Sequence, residues 1–145
     1  MGERGWNLLE LLICMALLSL VALLAMPRFQ LVERQLDYEA ACLVAELRFL
    51  QIMSHDHPRD VLWGVPGKPI PGLRMGRNSY VIFSGGTYMM EHNAKYGAHY
   101  GYPRDVIYFN QSGETEPLTI RIYLLNSSRQ VIVDRVGRIR TAGGS

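Results

Sequence analysis

Residues 6–26 read WNLLELLICMALLSLVALLAM, and Glu10 is the one charge among them. The run approaches the ~20 apolar residues that a bilayer requires, so it is expected to be a membrane-spanning helix. A carboxylate at the centre of such a helix costs about 2.5–3.5 kcal/mol, and less near the interface, so Glu10 needs a partner. Arg4 ahead of the run favours a cytoplasmic N-terminus, with Arg28 beyond it as a mild opposing signal.

Only Met1-Gly2-Glu3-Arg4-Gly5 precedes Trp6. That is too short for a secretory signal with its own apolar core and cleavage site, so the apolar run is expected to stay on the mature chain. A short polar leader ending in Gly5, an apolar Trp6 after it and Glu10 four residues on make the chain resemble the type IV prepilin family, which includes the type II secretion pseudopilins. The resemblance implies that a membrane prepilin peptidase cuts after Gly5 and N-methylates Trp6. It also implies that Glu10 pairs with the N-terminal amine of a neighbouring subunit during fibre assembly. Trp6 stands where the family usually has Phe, and Asn7 where it usually has Thr. Geometry agrees independently, since cleavage after Gly5 would set an α-ammonium about one helical turn from Glu10. Glu10 could instead reach its own amine or snorkel to the headgroups; the assembly role is preferred because motif and cost point the same way.

Pro27 follows the apolar run, at a distance where many pilins also carry a proline. Proline removes one backbone bond and clashes with the preceding turn, so a kink in one continuous helix is expected, in preference to two separate helices. Beyond it, Phe29, Val32, Leu36, Ala40, Leu43, Leu47 and Leu50 recur every three or four residues, while Glu33, Arg34, Asp37, Glu46, Arg48 and Gln51 fall on other faces. The seam is expected to pack on other subunits below and on a β-sheet above. The helix would reach roughly 70 Å at 1.5 Å per residue before His55-Asp56-His57-Pro58 ends it.

From residue 58 the pattern changes to short β-like runs, predicted at 61–65, 79–83, 87–91, 105–110, 118–125, 130–134 and 138–141. Breaks are expected at Pro66-Gly67, Pro69-Ile70-Pro71-Gly72, Gly85-Gly86, Ser112-Gly113, Asn126-Ser127-Ser128 and Gly137. The predicted fold is α+β: a long N-terminal helix, transmembrane in its first half and amphipathic in its second, packed on a small antiparallel β-sheet head. Its divisions are a leader at 1–5, a membrane segment at 6–26, an amphipathic segment at 27–57 and a head at 58–145.

The C-terminal third carries Asp105-Val106-Ile107-Tyr108-Phe109-Asn110-Gln111-Ser112-Gly113, an alternating run at 118–125, and Gly137-Arg138-Ile139-Arg140. In these elements the chain resembles the GspH/FimT group of minor pilins and pseudopilins. Some members bind DNA during transformation through a Gly-Arg-x-Arg element, which makes Arg138 and Arg140 candidate DNA-binding residues, with Arg129 and Arg135 adding local charge. Arginines at i and i+2 on a strand point the same way and can share a phosphate backbone. They can equally solvate an edge strand, and this reading is favoured because the net charge is only +2.

Other chemistry is sparse. Cys14 and Cys42 lie too far apart along one helix to form a disulfide. His55 and His57 do not share a helical face, and a zinc site would need His92 or His99 as well. Tyr96, Tyr100 and Tyr102 are expected to pack a glycine-rich loop against the sheet in preference to an exposed aromatic patch. No catalytic triad, phosphate loop or metal spacing is recognised, so neither an enzyme nor a cofactor is expected. The resemblance implies a structural subunit of a type IV pilus or secretion pseudopilus, at its tip or initiation complex. Its partners would be the prepilin peptidase, other pilins or pseudopilins, the inner-membrane assembly platform and membrane lipid, with the head outside the cytoplasm. DNA is the partner in the alternative reading.

Overall fold

The computed structural model describes residues 3–56 and 71–143, without the side chains of residues 3–7 and 25–30. Within them lie one helix, α1 (Glu3–His55), and eight strands: β1 (Gly72–Met75), β2 (Ser79–Ser84), β3 (Thr87–Asn93), β4 (His99–Gly101), β5 (Val106–Ile107), β6 (Leu118–Leu124), β7 (Ser127–Val133) and β8 (Ile139–Gly143). Residues 1–34 form one compact unit and residues 35–145 a second.

The first unit is the N-terminal part of α1. Its helical backbone continues through Pro27, while the proline ring and the Trp6 side chain lie outside the described residues. Every described side chain from residue 8 to residue 24 is exposed, Leu23 to 74%. Ser19 Oγ donates to the carbonyls of Met15 and Ala16, 2.9 Å from each, so the hydroxyl is satisfied inside the helix. Among the described residues no helix is long and apolar enough to cross a membrane. The described apolar run at 8–24 stops short of the ~20 residues a span requires.

The second unit holds the core. Leu36, Ala40, Leu43, Leu47 and Leu50 are buried, as the heptad-like spacing predicts, whereas Phe29 lies outside the described side chains. Each buried leucine contributes roughly 1.5–3 kcal/mol of transfer free energy. Opposite the seam lie two antiparallel four-stranded sheets, ordered β3-β2-β1-β5 and β4-β6-β7-β8. The single small sheet of the sequence reading is therefore corrected to two. β6 alternates as predicted, burying Leu118, Ile120, Ile122 and Leu124 against Val131 and Val133 of β7.

Other corrections have local causes. β1 begins at Gly72, where a break was expected: the rings of Phe83 and Tyr108 lie over its Cα, and an added Cβ would stand 2.7 Å and 2.6 Å from them. The glycine therefore serves aromatic cover across the β1–β2 pair, in which Gly72 faces Phe83. β4 forms inside the expected glycine-rich loop, placing Tyr100 in the core while Tyr96 stays exposed. The predicted strand at 105–110 contracts to the two residues of β5. The turn between β6 and β7 is Leu125-Asn126, one residue earlier than expected, and Leu125 adopts a φ of 54°. The predicted strand at 61–65 lies outside the described residues.

Two glycines lock the upper end of α1. Gly113 and Gly137 both have φ 77° and pack so closely that a Cβ on Gly137 would lie 1.9 Å from the Gly113 carbonyl oxygen. Gln51 Nε2 donates to both carbonyls, at 2.9 Å to Gly113 and 3.2 Å to Gly137. Gly137→Ala combines left-handed strain with this collision and should cost on the order of 2–4 kcal/mol in urea unfolding. Gly86→Ala has a φ of 81° but nothing within 4 Å, so it isolates the strain alone and should cost about 1 kcal/mol.

Candidate functional site

Three groups of residues carry the chemistry. The first is the N-terminal part of α1, where Glu10 is exposed among exposed leucines. Gly5 and Trp6 sit within the helical backbone of α1, and the Trp6 side chain lies outside the described residues.

The second is the hairpin that joins β7 to β8. Its turn closes through Gly137 N–H donating to the Asp134 carbonyl, 2.9 Å, and Asp134 N–H to the Arg138 carbonyl, 3.0 Å. Arg138 immediately precedes β8, correcting the predicted strand start, and Arg140 lies within it. Both point to one side, because each reaches Asp134: Arg138 Nε and Arg140 Nη2 stand 3.8 Å from its two carboxylate oxygens. These contacts are exposed and long, so each contributes at most ~1 kcal/mol. β8 is an edge of its sheet, where exposed charge discourages pairing with another chain. Arg129 belongs elsewhere, since its Nη2 meets Asp37 of α1 at 2.6 Å. Of the four arginines that the sequence grouped, Arg135, Arg138 and Arg140 remain exposed at this hairpin. Gln51 positions them indirectly by fixing the Gly137 turn.

The third group was missed by the sequence reading. Glu39 of α1 is fully buried, and its carboxylate accepts from the Lys95 backbone N–H, the Tyr100 hydroxyl and His92 Nε2, each at 2.9 Å. The carboxylate thus joins α1 to β3 of one sheet and β4 of the other. His92 stacks on Tyr80 with ring centroids 4.9 Å apart, and its Nδ1 stands 3.8 Å from Glu46 Oε1. Burial pushes the Glu46 carboxyl above the usual carboxylate range, partly offset by the Tyr80 hydroxyl and by His92. Burial, reinforced by the neighbouring glutamates, pushes the phenols of Tyr80 and Tyr100 far up, so both remain hydroxyls. Tyr80 Oη and Glu46 Oε2 are both buried, and neither closes a hydrogen bond. A signal for this group existed: Glu39 and Glu46 are seven residues apart and flank the seam on one helical face. Their partners on β3 and β4 were not legible, because one strand was not recognised and no local spacing links them.

His55 Nδ1 meets the Gln111 carbonyl oxygen at 2.9 Å, and His99 stacks on Tyr123. Among the described residues no three His, Cys, Asp or Glu side chains are placed to hold a metal ion. Cys14 and Cys42 are free thiols. Comparison with protein-family models, curated proteins and solved structures finds no match to the chain.

The Glu39 group makes a direct prediction. Glu39→Ala strands three donors beneath α1 and should destabilise the fold by roughly 3–5 kcal/mol. Asp37→Ala, which removes an exposed partner of Arg129, should cost about 1 kcal/mol or less. Urea unfolding of the two variants measures the difference.

Proposed function

We propose that the chain is a minor pilin or pseudopilin, a structural subunit that enters a type IV pilus or type II secretion pseudopilus at its tip or initiation complex. The observation that carries this reading is the exposed apolar surface at residues 8–24, which Glu10 alone interrupts with charge. A surface of that size and composition calls for lipid or neighbouring apolar helices. In sequence the run extends over 6–26, the ~20-residue length of a single membrane span, which supports an inner-membrane location with the β head outside the cytoplasm.

On this reading the prepilin peptidase removes residues 1–5, and methylation falls on the amine of Trp6. Before cleavage Glu10 has no free amine one turn away. After cleavage it has one, on its own chain or on a neighbour. In a low-dielectric setting an unpaired carboxylate is costly, so pairing with a neighbour's amine favours docking in a single axial register. The assembly platform and the other pilins would then act on a processed subunit whose second half, from residue 35, carries a prebuilt two-sheet head. Pro27 would relieve the backbone where the membrane segment gives way to the amphipathic one.

DNA uptake is the second reading, and the shared direction of Arg138 and Arg140 with the exposed Arg135 favours it. Asp134 lies between the two arginines and weakens it.

Mass spectrometry after co-expression with a prepilin peptidase should give an N-terminus at Trp6; any other mature N-terminus removes the basis of the proposal. Glu10→Ala should insert and be cleaved normally but fail to enter the fibre. For the second reading, Arg138→Ala with Arg140→Ala should weaken DNA binding by the full chain and reduce its log-log salt slope by about 2. Absence of salt-sensitive DNA binding by the wild-type chain rejects it.

A further inference from the structure

Glu39 receives the Lys95 N–H and the Tyr100 O–H, so it acts as an acceptor, and its 2.9 Å contact with His92 requires a proton on Nε2. His92 Nδ1 therefore faces Glu46 Oε1, 3.8 Å away, with both side chains largely buried, at 13% and 16% exposure. A neutral imidazole presents a lone pair in that gap, and an ionised Glu46 presents another. Low local dielectric leaves the two poorly screened. A single proton, on Nδ1 or on the Glu46 carboxyl, turns repulsion into attraction and allows a small side-chain rotation to close the bond. Such a proton belongs to the pair and not to either residue.

We infer that Glu46 and His92 share one proton that clasps β3 to α1, and that rising pH opens this clasp. β3 is the free edge of its sheet, hydrogen-bonded to β2 alone, and its pairing is irregular at Ile82 and Phe83, where Met89 is the extra residue of a bulge. Its outer part exposes Tyr88, Met89 and Met90. Loosening the His92 end therefore frees an apolar edge strand already weakly held at the other end.

The titratable groups facing the pair are Glu39 and Cys42 on α1, Tyr80 on β2 and Tyr100 on β4. The Lys95 ammonium turns outward over the Tyr38 ring, 5.1 Å from its centroid. Both phenols keep their protons, as argued above. The sign follows from Glu46, whose carboxyl is raised in the folded chain. Its stabilising effect is fully present below the ordinary carboxylate value and is lost as pH climbs through the raised one.

The test is amide exchange on the full-length chain in detergent micelles, reading protection of residues 88–92 relative to β6, so that intrinsic exchange cancels. From about pH 4, below the ordinary carboxylate value, to about pH 8 the ratio should fall several-fold in the wild type. In Glu46→Gln the carboxamide donates to Nδ1 at every pH, and the ratio should stay flat. A wild-type ratio that does not change, or an equal fall in Glu46→Gln, overturns the inference. Nitrogen NMR of the His92 ring gives an independent check. It should show Nε2 protonated throughout, with the Nδ1 signal moving in step with the exchange ratio; a ring protonated only at Nδ1 overturns the inference as well.

Discussion

A single helical stripe, Leu36, Ala40, Leu43, Leu47 and Leu50, has to be buried against two sheets at once. Apolar burial supplies most of the free energy of that packing but is indifferent to small slides and rotations of the helix. Register must come from directional contacts, and these lie at intervals along the stripe. Glu39 bonds to β3 and β4, Gln51 bonds to the turns at Gly113 and Gly137, and His55 meets Gln111 near the helix end. Each contact joins residues more than fifty positions apart in sequence. The greasy stripe thus sets how strongly the second half of α1 holds, and the polar staples set where.

The staples differ in kind. Gln51 is a neutral amide reading two backbone carbonyls, so the upper lock is insensitive to pH and depends on two glycines fitting together. Glu39 is a buried carboxylate whose stability rests on three donors arriving together. Burying it is costly unless all three are in place, so it penalises any packing in which β3 or β4 is displaced. Such a group adds specificity even where a leucine of similar size would add more stability.

The legible part of this fold was the part written in local periodicity. The seam of α1, the alternation at 118–124 and the glycine turns near 85 and 137 could be read because each is a pattern over a few neighbouring residues. β1 and β4 could not, because Gly72 and Gly101 look like breaks until the aromatic rings that cover them are in place. The division into two sheets was equally hidden, since strand order depends on contacts distant in sequence. Among site residues, Glu10, Gly5, Trp6, Arg138 and Arg140 stood out by motif. Glu39, Glu46 and His92 did not, because an acid beside a helical seam usually faces solvent, and only the tertiary fold turns these inward.

The same helix is therefore used in two chemically opposite ways, and the change falls near residue 35. Before it, the side chains described at 8–24 are exposed and, Glu10 and Ser19 apart, apolar, with the serine hydroxyl satisfied by the helix's own carbonyls. After it, one face is apolar and buried, and the flanks are polar with specific partners. A surface apolar all round gives attraction without direction, so it cannot by itself choose a register against similar helices. On the proposed reading Glu10 would supply that direction in the first unit, as Glu39 does in the second. The difference is when the partner becomes available: Glu39 meets donors fixed by folding, whereas Glu10 would meet an amine that only cleavage creates. On that reading, folding of the head and entry into a fibre would be separate events, the first governed by a buried carboxylate and the second by an exposed one.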